Sequence, residues 1–334
     1  NVKEYGAKGD GYTDDTATFQ KVLTDIGTRG GGIVFLPAGK YLIAGNLIIP
    51  AGVTLQGIWT APHHSDQSWG TTILATGGQG NPDGNPLISL LPSACVNGVT
   101  IYYPYQKVTE IVPYPWTIRG QGMQNSIENV TLVNAYQGID FATHANELHY
   151  IRNVYGCVLR CGINIDKCTD IGRIENVHFN PHYWLRANLA DQTAPQAWGP
   201  LCDYVNNNLE VFVFGRTDWE YVLNTFAWGF KICYKFIQTA SGGCNGNFLG
   251  IGADGGQYCV YAEASQPPGI LITNGEFVSF TGPNPTEIVT TETFTGVLQL
   301  NNCSFWGPAY QNALLRGNGY ASFVQCNFLE WGAR

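Results

Sequence analysis

The chain has 334 residues; only 13% are charged, 41 are glycine, and the net charge is −8. That composition suits a turn-rich β protein and argues against a helix bundle, and the negative balance weighs against a nucleic-acid partner. No apolar run reaches the ~18 residues of a membrane span.

The first predicted element is a helix. Asp14 and Asp15 stand where they can cap its start, and Phe19, Val22, Leu23 and Ile26 follow at i, i+3, i+4 and i+7, one apolar face. Gly30–Gly32 end it. "IVFLPAGKYLI" then reads as strand, Pro-Ala-Gly turn, strand, and "LIIPAGVTLQG" repeats the device. A short amphipathic helix over the open end of a strand stack would protect its edge.

Further on, a phrase recurs. "IENV" stands at Ile127–Val130 and at Ile174–Val177, with "IRNV" at Ile151–Val154 between them, so the steps are 151 − 127 = 24 and 174 − 151 = 23 residues. A fixed period of this size indicates stacked units. Isoleucine and valine favour strands, and the asparagine between them tolerates a left-handed backbone. The unit reads as strand, one-residue bend, strand. Looser copies lie at Ile272/Asn274/Phe277 and Leu300/Asn302/Phe305, with weaker ones at Asn224, Asn245 and Gln325. Stacked amides at these bends predict an asparagine ladder. The pattern predicts an all-β fold, a parallel β-helix with a short N-terminal helical cap. One domain is expected over 1–334, with the cap at about 1–30 and a long insertion at about 180–215.

"VKEYGAKGDGYTDDTATFQKVL", followed by "GGGIVFLPAGKYLI" and "VTLQG", resembles the opening of the pectate-lyase-like superfamily of right-handed parallel β-helices. The resemblance is strong over roughly residues 1–60 and continues beyond as a coil pattern. It implies a polysaccharide partner and, among relatives, polygalacturonase-type and exo-glucanase-type glycosidases, uronan lyases and epimerases, and phage tailspikes. It does not fix a reaction. The polygalacturonase-like hydrolases carry Asn-Thr-Asp, Asp-Asp, Gly-His-Gly and Arg-Ile-Lys on one sheet; none occurs in the corresponding region here, and "RIE" at Arg173–Glu175 is no substitute.

Two acidic clusters are candidates for catalysis. Asn129 to Gly138 and Asn153 to Gly162 are both nine residues apart, so the two glycines should stack and the following strands should be neighbours. Ile139, Phe141, Ile163 and Ile165 would face the core; Asp140, Asn164 and Asp166 would face out, on the sheet that floors the cleft in the superfamily. One rung and two residues place Asp140 and Asp166 roughly 8 Å apart, a spacing that suits an inverting glycosidase. The second cluster, "GRTDWEY", offers Asp218 and Glu220, which would point the same way in an extended strand, with Arg216 and Trp219 beside them. Solvated surface acids are the plain alternative for the first cluster; for the second it is a turn acid and a salt-bridge partner for Arg216.

Three stretches interrupt the coils, at 60–70, 101–116 and 180–215, each with aromatic residues and proline. Aromatic faces suit the C–H faces of sugars. Trp69, Tyr103, Trp116, Trp184, Trp198 and Trp219 are candidate walls of a carbohydrate cleft. His178, His182, Arg186, Tyr204 and Lys231 are further candidate substrate contacts; a packed histidine is an equal reading for His178.

The ten cysteines fit either disulfides, with Cys157–Cys161 or Cys161–Cys168 as local pairs, or stacked core thiols. No paired CxxC exists, so no metal site is expected. The readings carried forward are a glycoside hydrolase acting without cofactor on an extracellular polysaccharide, from a secreted or periplasmic location; a lyase or epimerase relying on Lys231 or Arg173 and conceivably on calcium; and a non-catalytic glycan-binding or tailspike-like module. "SFVQCNFLEWGAR" reads as a coil in progress with no capping element after it.

Overall fold

The asparagine bends organise the molecule. The structure, a computed structural model, describes residues 1–60, 66–189 and 197–329. The left-handed region is occupied at every strong copy of the repeated phrase: Asn129 has φ +55°, Asn153 +53°, Asn176 +54°, Asn274 +57° and Asn302 +53°. Asn224 (+51°) and Gln325 (+52°) belong to the same series. Asn245 does not. It lies inside the strand Cys244–Leu249, where its Oδ1 accepts from the Trp219 backbone N–H, and Gly250 (φ +64°) makes that coil's bend instead.

Parallel pairing links each coil to the next. Ile127 stands opposite Ile151, and Ile151 opposite Ile174. Each coil has three faces: a first face entering the asparagine bend, a second leaving it, and a third that closes the turn. Alternation along each strand sends one set of side chains inward. Ile127 and Ile151 fill the first face, Leu132 and Phe179 the second, and Ile139, Ile163 and Phe212 the third; all are buried. The stacking inferred from the nine-residue spacing holds, because Gln137 pairs with Cys161 and Ile139 with Ile163, leaving Gly138 over Gly162. Interior rings stack along the axis, Phe212 on Tyr234 at 5.0 Å and Phe214 on Phe236 at 5.4 Å. All ten cysteines are free thiols, and neither proposed local disulfide forms.

The amide ladder is continuous through four coils. Asn129 Nδ2 donates to Asn97 Oδ1 (2.8 Å), Asn153 to Asn129 (2.8 Å) and Asn176 to Asn153 (2.7 Å). Asn153→Leu therefore removes two amide contacts and puts a branched side chain into a left-handed bend. A stability loss of about 1–3 kcal/mol is expected in urea unfolding; Asn153→Gly, which relieves the backbone conflict, isolates the ladder's share, and an unchanged midpoint in both variants would contradict the ladder.

At the N-terminus, α1 spans Thr16–Thr28 with Phe19, Val22 and Leu23 buried and Ile26 packed at the margin. Only part of the expected cap is realised. Asp14 accepts from the Thr16 N–H (3.0 Å), whereas the Asp15 carboxylate turns away to the Lys8 and Gly9 N–H groups. The insertion after Phe179 contains two helices that the aromatic-loop reading did not anticipate, α2 (His182–Leu185) and α3 (Trp198–Asn208). It ends at Glu210, where the strand Glu210–Phe214 rejoins the third face.

Candidate functional site

The four expected catalytic acids are all committed elsewhere. Asp140 does leave the core side of its strand, but it is 1% exposed. It holds the Arg119 guanidinium at 2.6 Å and accepts from the Ala142 N–H and the Thr143 N–H and hydroxyl. Asp166 is 8% exposed and accepts from the Arg216 N–H (2.7 Å) and the Thr239 hydroxyl (3.0 Å), fastening the corner after the third face. The strand ends at Ile165, and the chain's departure there makes Asp166 a turn acceptor. Asp140→Asn should accordingly cost about 2–3 kcal/mol by unpairing the partly buried Arg119, with turnover per folded molecule retained; full stability with lost activity would return Asp140 to the catalytic list.

The second cluster is split by its own tryptophan. Trp219 has φ +68°, and the register shifts between Thr217 and Glu220. Alternation is lost there, so Asp218 and Glu220 do not point the same way. Asp218 is half-exposed and pairs with Arg216 (2.7 Å) and Gln266 (2.6 Å). Burial pushes its pKa up, but these hydrogen bonds outweigh burial and hold the carboxyl below its ordinary value. Glu220 is wholly buried and meets His149 Nε2 at 3.0 Å. Burial opposes charge on His149, yet the Glu220 carboxylate carries the imidazole up to about 10, so the two form an internal ion pair.

The expected aromatic and histidine contacts divide in the same way. Trp184 (3% exposed) and Tyr103 (2%) are core. Trp219 and Trp69 are exposed. Arg186 and Lys231 are exposed, and Trp116 is half-buried on the third face. Tyr204 lies along α3 beside a groove of about 460 Å³ shared with Val108, Ile111 and Asp203. Arg173 lies over the Tyr221 ring on the first face, 5.8 Å from its centroid. Three candidates do converge on the outer side of the second face. His182 stacks on Trp198 at 4.3 Å, Trp198 meets Trp228 at 5.0 Å, and His178 meets the Phe226 ring at 5.2 Å.

Trp228 leads to two acids that the sequence reading missed. It pairs with Asp254 one coil on, and Asp254 pairs with Val278. Ala253 and Phe277 point into the core, so Asp254, Glu276 and Val278 share the outer side. Glu276 precedes Val278 by two residues and is exposed. One rung of about 4.8 Å and two residues of about 3.3 Å each separate the two acids, giving roughly 8 Å between their Cα atoms. Asp254 is half-buried, and burial alone raises its carboxyl pKa above the ordinary value. Among the described residues its carboxylate has no hydrogen-bond or ion-pair partner, unlike the four acids above.

Aromatic rings flank this pair. Gly255, with φ +83°, follows Asp254; a methyl there would lie 3.1 Å from the Trp228 ring and 3.3 Å from that of Phe280. Glycine thus permits both the backbone angle and the approach of two rings. Trp306, whose N–H donates to Phe277 O, is 42% exposed, as is Phe280. The signal for Asp254 was present in the sequence: it follows Gly250 by four residues, as Trp228 follows Asn224. The asparagine-based repeat did not admit a glycine bend.

Two other clefts lack such a pair. One of about 450 Å³ is lined by Asp10, Tyr12, Lys40 and Tyr105 among others. The Thr13 and Tyr12 N–H groups hold Asp10 down at about 2, so it cannot carry a proton near neutrality. Another of about 420 Å³, on the outer third face, is lined by Tyr258, Tyr261, Tyr310 and Arg316 and has no carboxylate in its lining.

Comparison with known proteins fits this architecture. Residues 1–74 match the family model described as rhamnogalacturonase A/epimerase, pectate lyase-like. Alginate lyase 7 of Azotobacter vinelandii is 44% identical over 64 residues, which is 17% of this chain and 8% of that protein. Among solved structures, the A-module of the Azotobacter vinelandii mannuronan C-5 epimerase AlgE6 superposes with a TM-score of 0.56 at 15% identity, covering 98% of this chain and 93% of that one. An exopolygalacturonase from Thermotoga maritima gives 0.50 at 11% identity, covering 98% and 91%. The sequence match is thus confined to a small part of the relative's length, and the structural likeness is one of fold.

Proposed function

From a chain that carries the pectate-lyase-like right-handed parallel β-helix, we propose a glycoside hydrolase that cleaves a polysaccharide on the outer side of its second face. The reading rests on one observation: Asp254, unpartnered among the described residues and raised in pKa by burial, lies one rung and two residues from exposed Glu276. A sugar ring stacks against Trp228, Phe280 or Trp306, its C–H face on the ring and its hydroxyls free. Asp254 gives its proton to the glycosidic oxygen as the bond to the anomeric carbon breaks. Glu276 takes a proton from a water that attacks that carbon from the opposite side. A Cα separation of about 8 Å is compatible with carboxyl groups far enough apart to admit this water, which predicts inversion at the anomeric carbon. The net charge of −8 disfavours a polyanionic substrate, which points to a neutral glycan. Action on such a polymer is consistent with a secreted or periplasmic protein.

A second reading has one observation in its favour. The third-face groove brings Tyr258, Tyr261, Tyr310 and Arg316 together without a carboxylate, and Lys235 stands on the rung before Tyr261. That set suits β-elimination or epimerisation of a uronate, with a cation on the carboxylate and tyrosine moving the proton. A panel of neutral and uronic polysaccharides, assayed in parallel for new reducing ends and for ultraviolet absorbance, separates the two. Reducing ends without absorbance support hydrolysis; absorbance that survives Asp254→Asn and falls in Tyr261→Phe supports elimination. Tight glycan binding with silence on both channels leaves a binding module.

A further inference from the structure

Inside the coil, at the corner between the third and first faces, three unlike donors meet. His149 Nε2, Cys168 Sγ and a Glu220 carboxylate oxygen all lie within 4.8 Å of one another, and all three residues are wholly buried or nearly so. They come from three successive passes of the chain. Cys168 bridges Asn146 on one side and Thr217 on the other. Glu220 reaches the interior only because Trp219 takes a left-handed backbone and the register breaks there. Such a conformation is strained in a non-glycine residue, and its result is a carboxylate in the lumen.

The ion pair alone does not use this constellation fully. Glu220 Oε1 meets His149, but Oε2 is buried and among the described residues has no hydrogen-bond partner. A buried carboxylate oxygen in that state is costly. Gly172 keeps the space beside it open: a Cβ there would lie 2.4 Å from Oε2 and 2.2 Å from His149 Nε2. The imidazole is oriented from behind. Asn146 Nδ2 donates to Phe141 O (2.6 Å) and Asp166 O (2.9 Å), which turns its Oδ1 toward His149 Nδ1 at 2.9 Å. Nδ1 is therefore the donor, and Nε2 faces the cluster. An outer acceptor of this kind fixes the tautomer of metal-binding histidines.

We infer that His149, Cys168 and Glu220 form an internal structural site for a divalent transition-metal ion, zinc by its mixed sulfur, nitrogen and oxygen donors. The carboxylate binding through both oxygens gives four donor atoms and removes the orphan. Binding sends the Cys168 thiol proton and the His149 Nε2 proton to solvent. The thiolate and carboxylate then balance the 2+ charge, so the lumen stays neutral. Because the site is buried away from any substrate face, it acts on stability and is independent of the hydrolase reading.

Metal analysis of the full chain, purified without chelator from zinc-supplemented cells, is the test. About one zinc per chain is expected, with a drop of about tenfold or more in Cys168→Ala and Glu220→Gln. Protein produced in cobalt should show a thiolate-to-cobalt charge-transfer band, and this reads the site in the wild-type chain even where a variant fails to fold. Folded wild-type protein with under about a tenth of an equivalent of metal, or metal retained in Cys168→Ala, would overturn the site and leave a buried ion pair only.

Discussion

Asp254→Asn should lower the rate constant for glycan cleavage by about 10²–10⁴-fold, the contribution of a positioned general acid, while thermal stability holds or rises. Stability should not fall, because the carboxylate has no partner to lose among the described residues and its burial already disfavours its charge. Linkage gives the sign. A carboxyl raised above its unfolded value is a liability that develops as pH climbs from that value through the folded one, so the amide gains where the acid is ionised. The pH profile of kcat/KM should lose its alkaline limb in the variant, since that limb reports the proton on Asp254. Glu276→Gln should remove the acid limb instead. Product anomers observed by NMR early in the reaction should be inverted relative to substrate. Retained configuration, or a rate within about threefold of wild type in Asp254→Asn, would remove the pair from the mechanism.

The second large effect belongs to Glu287. It sits between Thr286 and Ile288 on the third face, stacked over Cys259 and beneath Asn312, whose Nδ2 donates to it at 2.8 Å. It is wholly buried, and Oε1 has no hydrogen-bond partner among the described residues. Burial raises its pKa from 4.5 to about 8, against the opposing hydrogen bond from Asn312. The folded protein therefore keeps a proton that the unfolded chain gives up near pH 4.5. Stability present below that pH is lost progressively as pH rises to about 8, at about 1.4 kcal/mol per unit, or about 5 kcal/mol in all. Glu287→Gln keeps the Asn312 contact and cannot ionise. It should match wild type in urea at pH 4 and exceed it by several kcal/mol at pH 9. Equal midpoints at both pH values would mean that the carboxylate is solvated when charged.

The sequence carried the scaffold better than the site, and particular residues show why. Asn129, Asn153 and Asn176 announce the coil because an αL bend between two β-branched strands has few residue solutions. Gly138 over Gly162 follows from counting, since a stack at fixed period preserves register. Exposure does not follow from alternation alone. Asp140 lies on the outer side as the pattern required, yet Arg119 and the Ala142–Thr143 turn close over it. Nor does a strand pattern survive Trp219, where a residue with little intrinsic preference for αL adopts it and sends Glu220 inward. Asp254 was hidden because Gly250 replaces the expected asparagine, and the helices α2 and α3 were masked by loop-like composition.

That glycine has a consequence for how the molecule comes apart. In a solenoid each coil touches only its neighbours, so unfolding propagates like a zipper whose teeth are the coil-to-coil interfaces. Asn176 Nδ2 still reaches Asn153, and Asn302 reaches Asn274 at 2.8 Å, but among the described residues Asn224 makes no side-chain hydrogen bond to Asn176, and Gly250 has no amide to resume the chain. The amide column is therefore two separate runs, and at the bends around Gly250 the coils are joined by backbone pairing and core packing, while the side-chain bridges between them lie at other corners, as where the Trp219 N–H meets Asn245 Oδ1. Under load from one end, or in native-state hydrogen exchange, the chain should open there as a boundary between two cooperative blocks. Asp254 lies four residues from that boundary, on a coil whose bend carries no ladder amide.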